Sequence, residues 1–143
     1  MSSPSAAPDA DVVGRIRASF ARQGAMTTIG AELADIAAGR VAISLAIAPR
    51  LSQQHGFLHA GVVVTALDSA CGYAALTLMP ADMEVLAAEF KVTLLAPASG
   101  DSLIAEGQVV RAGRTLTVCR GDAFSEGVPL RATASGLPMY RVD

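Results

Sequence analysis

The chain has 143 residues, 52% of them hydrophobic and 4% aromatic, with no Trp and a formal charge of −2. That length sets one compact domain as the expectation; a pI near 5.6 leaves no basic footprint for duplex binding, and the scarce aromatics leave no stacking platform for single strands, so no nucleic-acid partner is expected. A mean hydropathy of +0.44 is high for so short a chain and points to a homo-oligomer whose interface takes up the excess apolar surface.

Residues 1–9, rich in Ser, Ala and Pro, read as a disordered tail ahead of a single domain over 10–143. They hold no basic region followed by an apolar run, so no secretory signal is expected. Val12, Val13, Ile16 and Phe20 follow the i, i+3, i+4 spacing of a short amphipathic helix over 11–23, ended by Gly24. Residues 26–36 are compatible with a strand, and 41–48 alternate as a strand should (Val41, Ile43, Leu45, Ile47) before Pro49. Val62, Val63, Val64 and Thr65 favour a strand, whereas 66–78 favour a helix; one strand of about 20 residues would exceed the usual length, so helix is the reading. That helix is apolar on nearly every face and should be wrapped by other structure. The same run is the one candidate membrane span, and Asp68, Ser69, two glycines and the lack of close Lys or Arg flanks argue against it. After Pro80 the period becomes two: a strand over 86–94, another over 103–111, a tight turn at Ala112-Gly113, a third over 115–124 and a last over 130–139. The expected fold is α+β: a helix, two strands, a buried helix and four antiparallel strands, one sheet curled around one long helix.

Cys71 and Cys119 are too few and too far apart for a disulfide framework or a zinc site, and His55 and His59 stand alone, so no metal is expected. Two free thiols suit a reducing, cytoplasmic compartment. Asp68 is the outstanding residue. A carboxylate among Val62, Val63, Val64, Ala66, Leu67 and Ala70 is costly unless paired, hydrated or protonated. It is either a general base or nucleophile, or a structural carboxylate capping a neighbouring loop. Tyr73 and Cys71 lie on the same helix and read as core.

His59-Ala60-Gly61 opens this helix, Asp68 lies nine positions after the histidine and Gln53 six before it. With the sheet-like stretch 91–124 and its Pro-Ala and Gly-Arg-Thr turns, these residues resemble the hotdog-fold acyl-CoA thioesterases, especially the PaaI-like branch, over roughly 41–139. Three departures stand out. Ala60 replaces the usual middle glycine but keeps its N–H, Gln53 stands where many relatives carry asparagine, and Ala87 falls where some carry a third polar group.

The resemblance implies a hotdog fold, an antiparallel sheet wrapped around a central helix, and hydrolysis of acyl- or aryl-CoA thioesters to free acid and coenzyme A. Asp68 would be base or nucleophile, the Ala60 N–H an oxyanion donor worth about 10²–10³ in rate, and Gln53 a group orienting water or bonding the thioester oxygen. His59 either orders the loop or acts as a base, while Gly61 and His55 would line the site. Arg111 and Arg114, flanking the hairpin turn, with Lys91, would hold the coenzyme A phosphates. For Gln53, His55 and these cations the alternative is plain surface. Coenzyme A is part of the substrate, so no separate cofactor is implied, and no membrane partner. In hotdog dimers the loop and helix meet across the subunit interface, so the resemblance implies a site shared between chains of a homodimer or homotetramer. Two rival functions are a non-catalytic acyl-CoA binding module, which has no need of Asp68, and a hotdog hydratase or dehydratase, which needs a His following the Asp rather than preceding the helix.

Overall fold

A computed structural model describes residues 7–126 and 140–142. Helix α1 (Ala10–Ala21) starts where the Asp9 carboxylate accepts the Asp11 N–H at 3.0 Å, so Asp9, expected in the tail, is the cap of this helix; residues 1–6 of that tail lie outside the described residues. Gly24 does not simply stop this helix. It begins a second, short one, α2 (Gly24–Ile29), which buries Met26 and Ile29 and ends at Gly30 with φ 70°. The strand expected over 26–36 is therefore half helix: Met26 and Ile29, three apart, share a helical face, and β1 begins only at Ala31.

Strands β1 (Ala31–Ala37) and β2 (Arg40–Ala46) form a hairpin whose turn needs Gly39 at φ 73°. The Gly39 N–H donates to Thr77 Oγ1 at 2.7 Å, which fastens the hairpin to the end of the long helix α3 (Ala60–Leu76). Beyond α3 come β3 (Val92–Leu94), β4 (Ser102–Ala112), β5 (Thr117–Glu126) and β6 (Tyr140–Val142). The sheet order is β1-β2-β4-β5-β6-β3, antiparallel at every pairing. The whole of the strand expected over 130–139 lies outside the described residues.

Helix α3 lies across one face of the sheet. Val41, Ile43 and Leu45 of β2, Leu103 and Ala105 of β4 and Ala123 of β5 point at it, and Val63, Ala66, Leu67, Ala70 and Ala74 answer from the helix. The approach is closest at Gly107, where an added Cβ would stand 2.4 Å from the Ala70 carbonyl carbon. Its cross-strand partner is Gly121, where a Cβ would stand 2.9 Å from Cys71 Sγ and 3.1 Å from Leu67 Cδ2. Two side chains missing from adjacent strands thus make the seat for α3.

Two expectations along the second half change. The strand over 86–94 shrinks to β3, and 84–91 has no ladder partner among the described residues; Leu86 is 94% exposed. The alternating pattern there is real, but this segment sits over α3, where Val85 Cγ1 is 3.8 Å from the Cβ position of Gly72, instead of joining the sheet. The turn at Ala112-Gly113 is wider than two residues: β5 starts at Thr117, and the Gly113 N–H closes the loop on the Leu116 carbonyl at 2.9 Å. No helix of the described residues is long and apolar enough to cross a membrane.

Candidate active site

The loop before α3 is built by its own polar groups. Gln53 Oε1 accepts from the His55 and Phe57 N–H groups, and the Gln53 N–H donates to the Phe57 carbonyl at 2.8 Å. Leu58 and His59 are then anchored by N–H donations to the Ala98 and Leu51 carbonyls, both at 2.9 Å. His59 is the N-cap of α3: its Nδ1 accepts the Gly61 N–H at 2.8 Å, which places its ring proton on Nε2. Beside it the Ala60 N–H meets no acceptor among the described residues. It is one of the free donors that a helix start leaves over, and it sits at the positive end of the helix dipole.

Asp68 is exposed, not enclosed by the apolar residues around it in sequence. Helical periodicity explains this: Val63, Ala66, Leu67 and Ala70 turn to the sheet, and Asp68 falls on the other side of α3. There it lines a groove of about 780 Å³. Ser69, Gly72 and Tyr73 of α3, Ser19 of α1, Gln23 at the N-cap of α2, the segment 84–90 and residues 115–119 are among the other lining residues. Arg15 of α1 donates to the Pro80 and Met83 carbonyls, which fixes the start of that segment over the helix. Tyr73 and Cys71 are buried, as read from sequence, yet both also contribute to the groove.

The fold does not bring all the expected residues together within one chain. Gln53, His59, Ala60 and Gly61 cluster at the start of α3, with His55 exposed in the preceding loop. Asp68 lies eight residues further along, a rise of about 12 Å. Lys91, Arg111 and Arg114 are exposed, outside both clusters, although Arg114 adjoins the groove-lining residue Thr115. Among the described residues no group of His, Cys, Asp and Glu has the arrangement of a metal site. Gln23, Ser19 and Ser69 escaped sequence reasoning; the available signal was that Ser69 and Tyr73, four apart, form a polar stripe on an otherwise apolar helix.

Burial is the main reason that the Cys71 thiol is pushed up to about 12, with Cys119, Asp68 and Asp122 adding negative charge nearby. Burial also raises Cys119. Both thiols are free, and Cys119 Sγ donates to the Cys71 carbonyl at 3.5 Å. Neither is set up as a nucleophile.

Residues 55–132 match the thioesterase superfamily, a span that holds the His59 cap, Asp68 and most of the sheet. The chain belongs to the thioesterase superfamily. It is 31% identical over 98 residues to a candidate esterase of Saccharolobus solfataricus, covering 68% of this chain and 69% of that protein. The solved structure of a thioesterase family protein from Silicibacter pomeroyi superposes with a TM-score of 0.82 at 43% identity, covering 92% of this chain and 93% of the other. The E. coli PaaI protein of the phenylacetic acid degradation operon gives 0.78 at 16% identity, over 92% and 88% of the two chains. This superfamily member has the hotdog fold, which it shares with PaaI, and is a hydrolase by family.

Proposed function

We propose that this thioesterase hydrolyses acyl-CoA esters in the cytoplasm, at a site assembled from two copies of the chain, with coenzyme A entering as part of the substrate. The observation that carries the proposal is the pair formed by the unpartnered Ala60 N–H and the exposed Asp68 on one helix. At about 12 Å along the axis they cannot act on one carbonyl from the same chain. A two-fold copy running its α3 antiparallel sets the loop of one subunit against the Asp68 of the other. The segment 84–91, with no ladder partner among the described residues and with Leu86 exposed, offers the edge on which such a copy would dock.

In that assembly the Ala60 N–H and the dipole of α3 stabilise the negative charge that develops on the thioester oxygen. The Asp68 carboxylate either removes a proton from the attacking water or attacks the carbonyl carbon itself, giving a mixed anhydride that water then opens. The C–S bond breaks on either route, coenzyme A leaves as the thiolate and takes up a proton, and the acid is released. Gln53, whose Oε1 is engaged in the loop, keeps its amide N–H₂ for the thioester oxygen or the water. His59 orders the loop as a cap. The acyl group lies in the groove beside Asp68, and Arg111, Arg114 and Lys91 supply cations for the phosphates.

The test is free-thiol release from a panel of acyl-CoA esters by wild type and Asp68→Asn. Asn is nearly isosteric, so the expected result is a fall in kcat of about 10²-fold or more with the oligomer intact. Equal turnover by both proteins refutes the role of Asp68, and binding without turnover by either makes the protein a binding module.

A further inference from the structure

Two thiols take no part in the chemistry above, and the fold sets them against each other. Cys71 of α3 and Cys119 of β5 both line the groove, and both are free. The Cys119 Sγ donates to the Cys71 carbonyl at 3.5 Å, so its side chain is aimed at residue 71. The Cys71 Sγ lies in the gap left by Gly121, 2.9 Å from where a Cβ there would stand. Gly121 is two positions after Cys119 on β5, so the two positions share the strand face that meets α3.

The backbones are close at the same point. A disulfide needs its Cα atoms within about 7 Å of one another. Here the paired glycines let α3 down onto the sheet: the Cys71 nitrogen is 2.5 Å from the Cβ position of Gly107, the cross-strand partner of Gly121. The two thiols differ in access. Cys71 is buried and Cys119 only half-buried, so a solute entering the groove meets Cys119 first.

We infer that Cys71 and Cys119 are a redox pair, which a small disulfide oxidises to an intramolecular disulfide that ties α3 to β5 beside Asp68 and slows turnover. The Cys119 thiol gives up its proton and attacks one sulfur of the small disulfide; a mixed disulfide forms, and one small thiolate leaves and is protonated. Cys71 then loses its proton and attacks the Cys119 sulfur; the protein disulfide forms, and the second small thiolate leaves and is protonated. Two electrons thus pass from the protein to the small disulfide, which ends as two thiols. Burial keeps both protein thiols protonated above the ordinary range, so exchange is slow and the pair answers to a sustained excess of oxidant. Bonding to Cys119 draws the Cys71 Sγ out of the Gly121 gap, which changes how α3 is seated and so where Asp68 points. The effect on turnover rests on the reading of Asp68 as base or nucleophile; the cross-link does not.

The experiment incubates wild type, Cys71→Ala and Cys119→Ser with oxidised glutathione and then removes it. The monomer band of a non-reducing gel is digested with trypsin and weighed, and turnover is followed by loss of thioester absorbance before and after dithiothreitol. The expected wild-type map joins the peptide 51–91 to the peptide 115–120, with kcat about tenfold or more below that of the reduced protein and restored by dithiothreitol. Cys71→Ala should keep glutathione on Cys119, and Cys119→Ser should show no link and a ratio of oxidised to reduced turnover near one. Wild type that ends with glutathione on Cys119 and Cys71 free, that is not modified at all, or that is linked with unchanged turnover overturns the inference. If the reduced protein hydrolyses no acyl-CoA ester, the reading of Asp68 is what fails, and the peptide map alone decides the pair: joined peptides uphold it, and separate peptides overturn it.

Discussion

At the scale of single residues, Asp68 shows how a residue can stand out in a sequence and still be placed wrongly. A lone carboxylate in an apolar run was legible as a candidate, but its exposure was not, because burial depends on which side of the helix meets the sheet. The hundred-degree turn per residue sends Asp68 away from the neighbours that surround it in sequence. Cys71 is the opposite case, a residue whose environment does perturb it. Its thiol titrates near 12 in the folded chain against 9.0 for the free group, so the folded state keeps a proton that the unfolded state gives up between those values. Its contribution to stability is full below pH 9 and is lost as the pH rises through the window from 9 to 12. Denaturant titrations at pH 8 and near pH 10 should show wild type losing about 1 kcal/mol more than Cys71→Ala. An identical loss in the two proteins would mean that the thiol is not shielded.

At the scale of elements, what could be read in advance was whatever the chain's own periodicity dictates. The α1 pattern, the β2 alternation and the strands around Gly113 are local properties and were recovered with small boundary shifts. Helix α2 and the shortened β3 were not. The first is too short for its period to stand out, and the second depends on whether an alternating segment finds a partner, which no local pattern records. Gly107 is a further example. In sequence it is merely a glycine in a strand, yet in the fold a Cβ there would lie 2.5 Å from both the Ala70 carbonyl oxygen and the Cys71 nitrogen. Backbone cannot yield as a flexible side chain can, so Gly107→Ala should be more costly than most overpacking substitutions, about 3 kcal/mol or above. A urea melt checks this directly: the midpoint should fall sharply, and a midpoint near that of wild type would show that α3 can lift off its seat.

At the scale of the whole molecule, the proposed assembly rests first on the excess of apolar residues in the composition. Leu86, Leu94 and Leu95, all at least half exposed, lie on or beside the unpaired edge. Composition announces such a surface without saying where it is, because location requires knowing which strand ends the sheet. Light scattering coupled to size exclusion should therefore show an oligomer at every active concentration. A monomer of 14.6 kDa with full activity would contradict the shared site. Among the described residues, nothing hydrogen-bonds Asp68 into place, yet its position is fixed all the same. The paired gap at Gly107 and Gly121 works as a keyway that sets the phase and height of α3 against the sheet. The aim of the carboxylate is thus stored some forty and fifty positions downstream, in two residues without side chains. In the proposed mechanism, the groove walls could then be rebuilt for one acyl group after another while the carboxylate keeps its place.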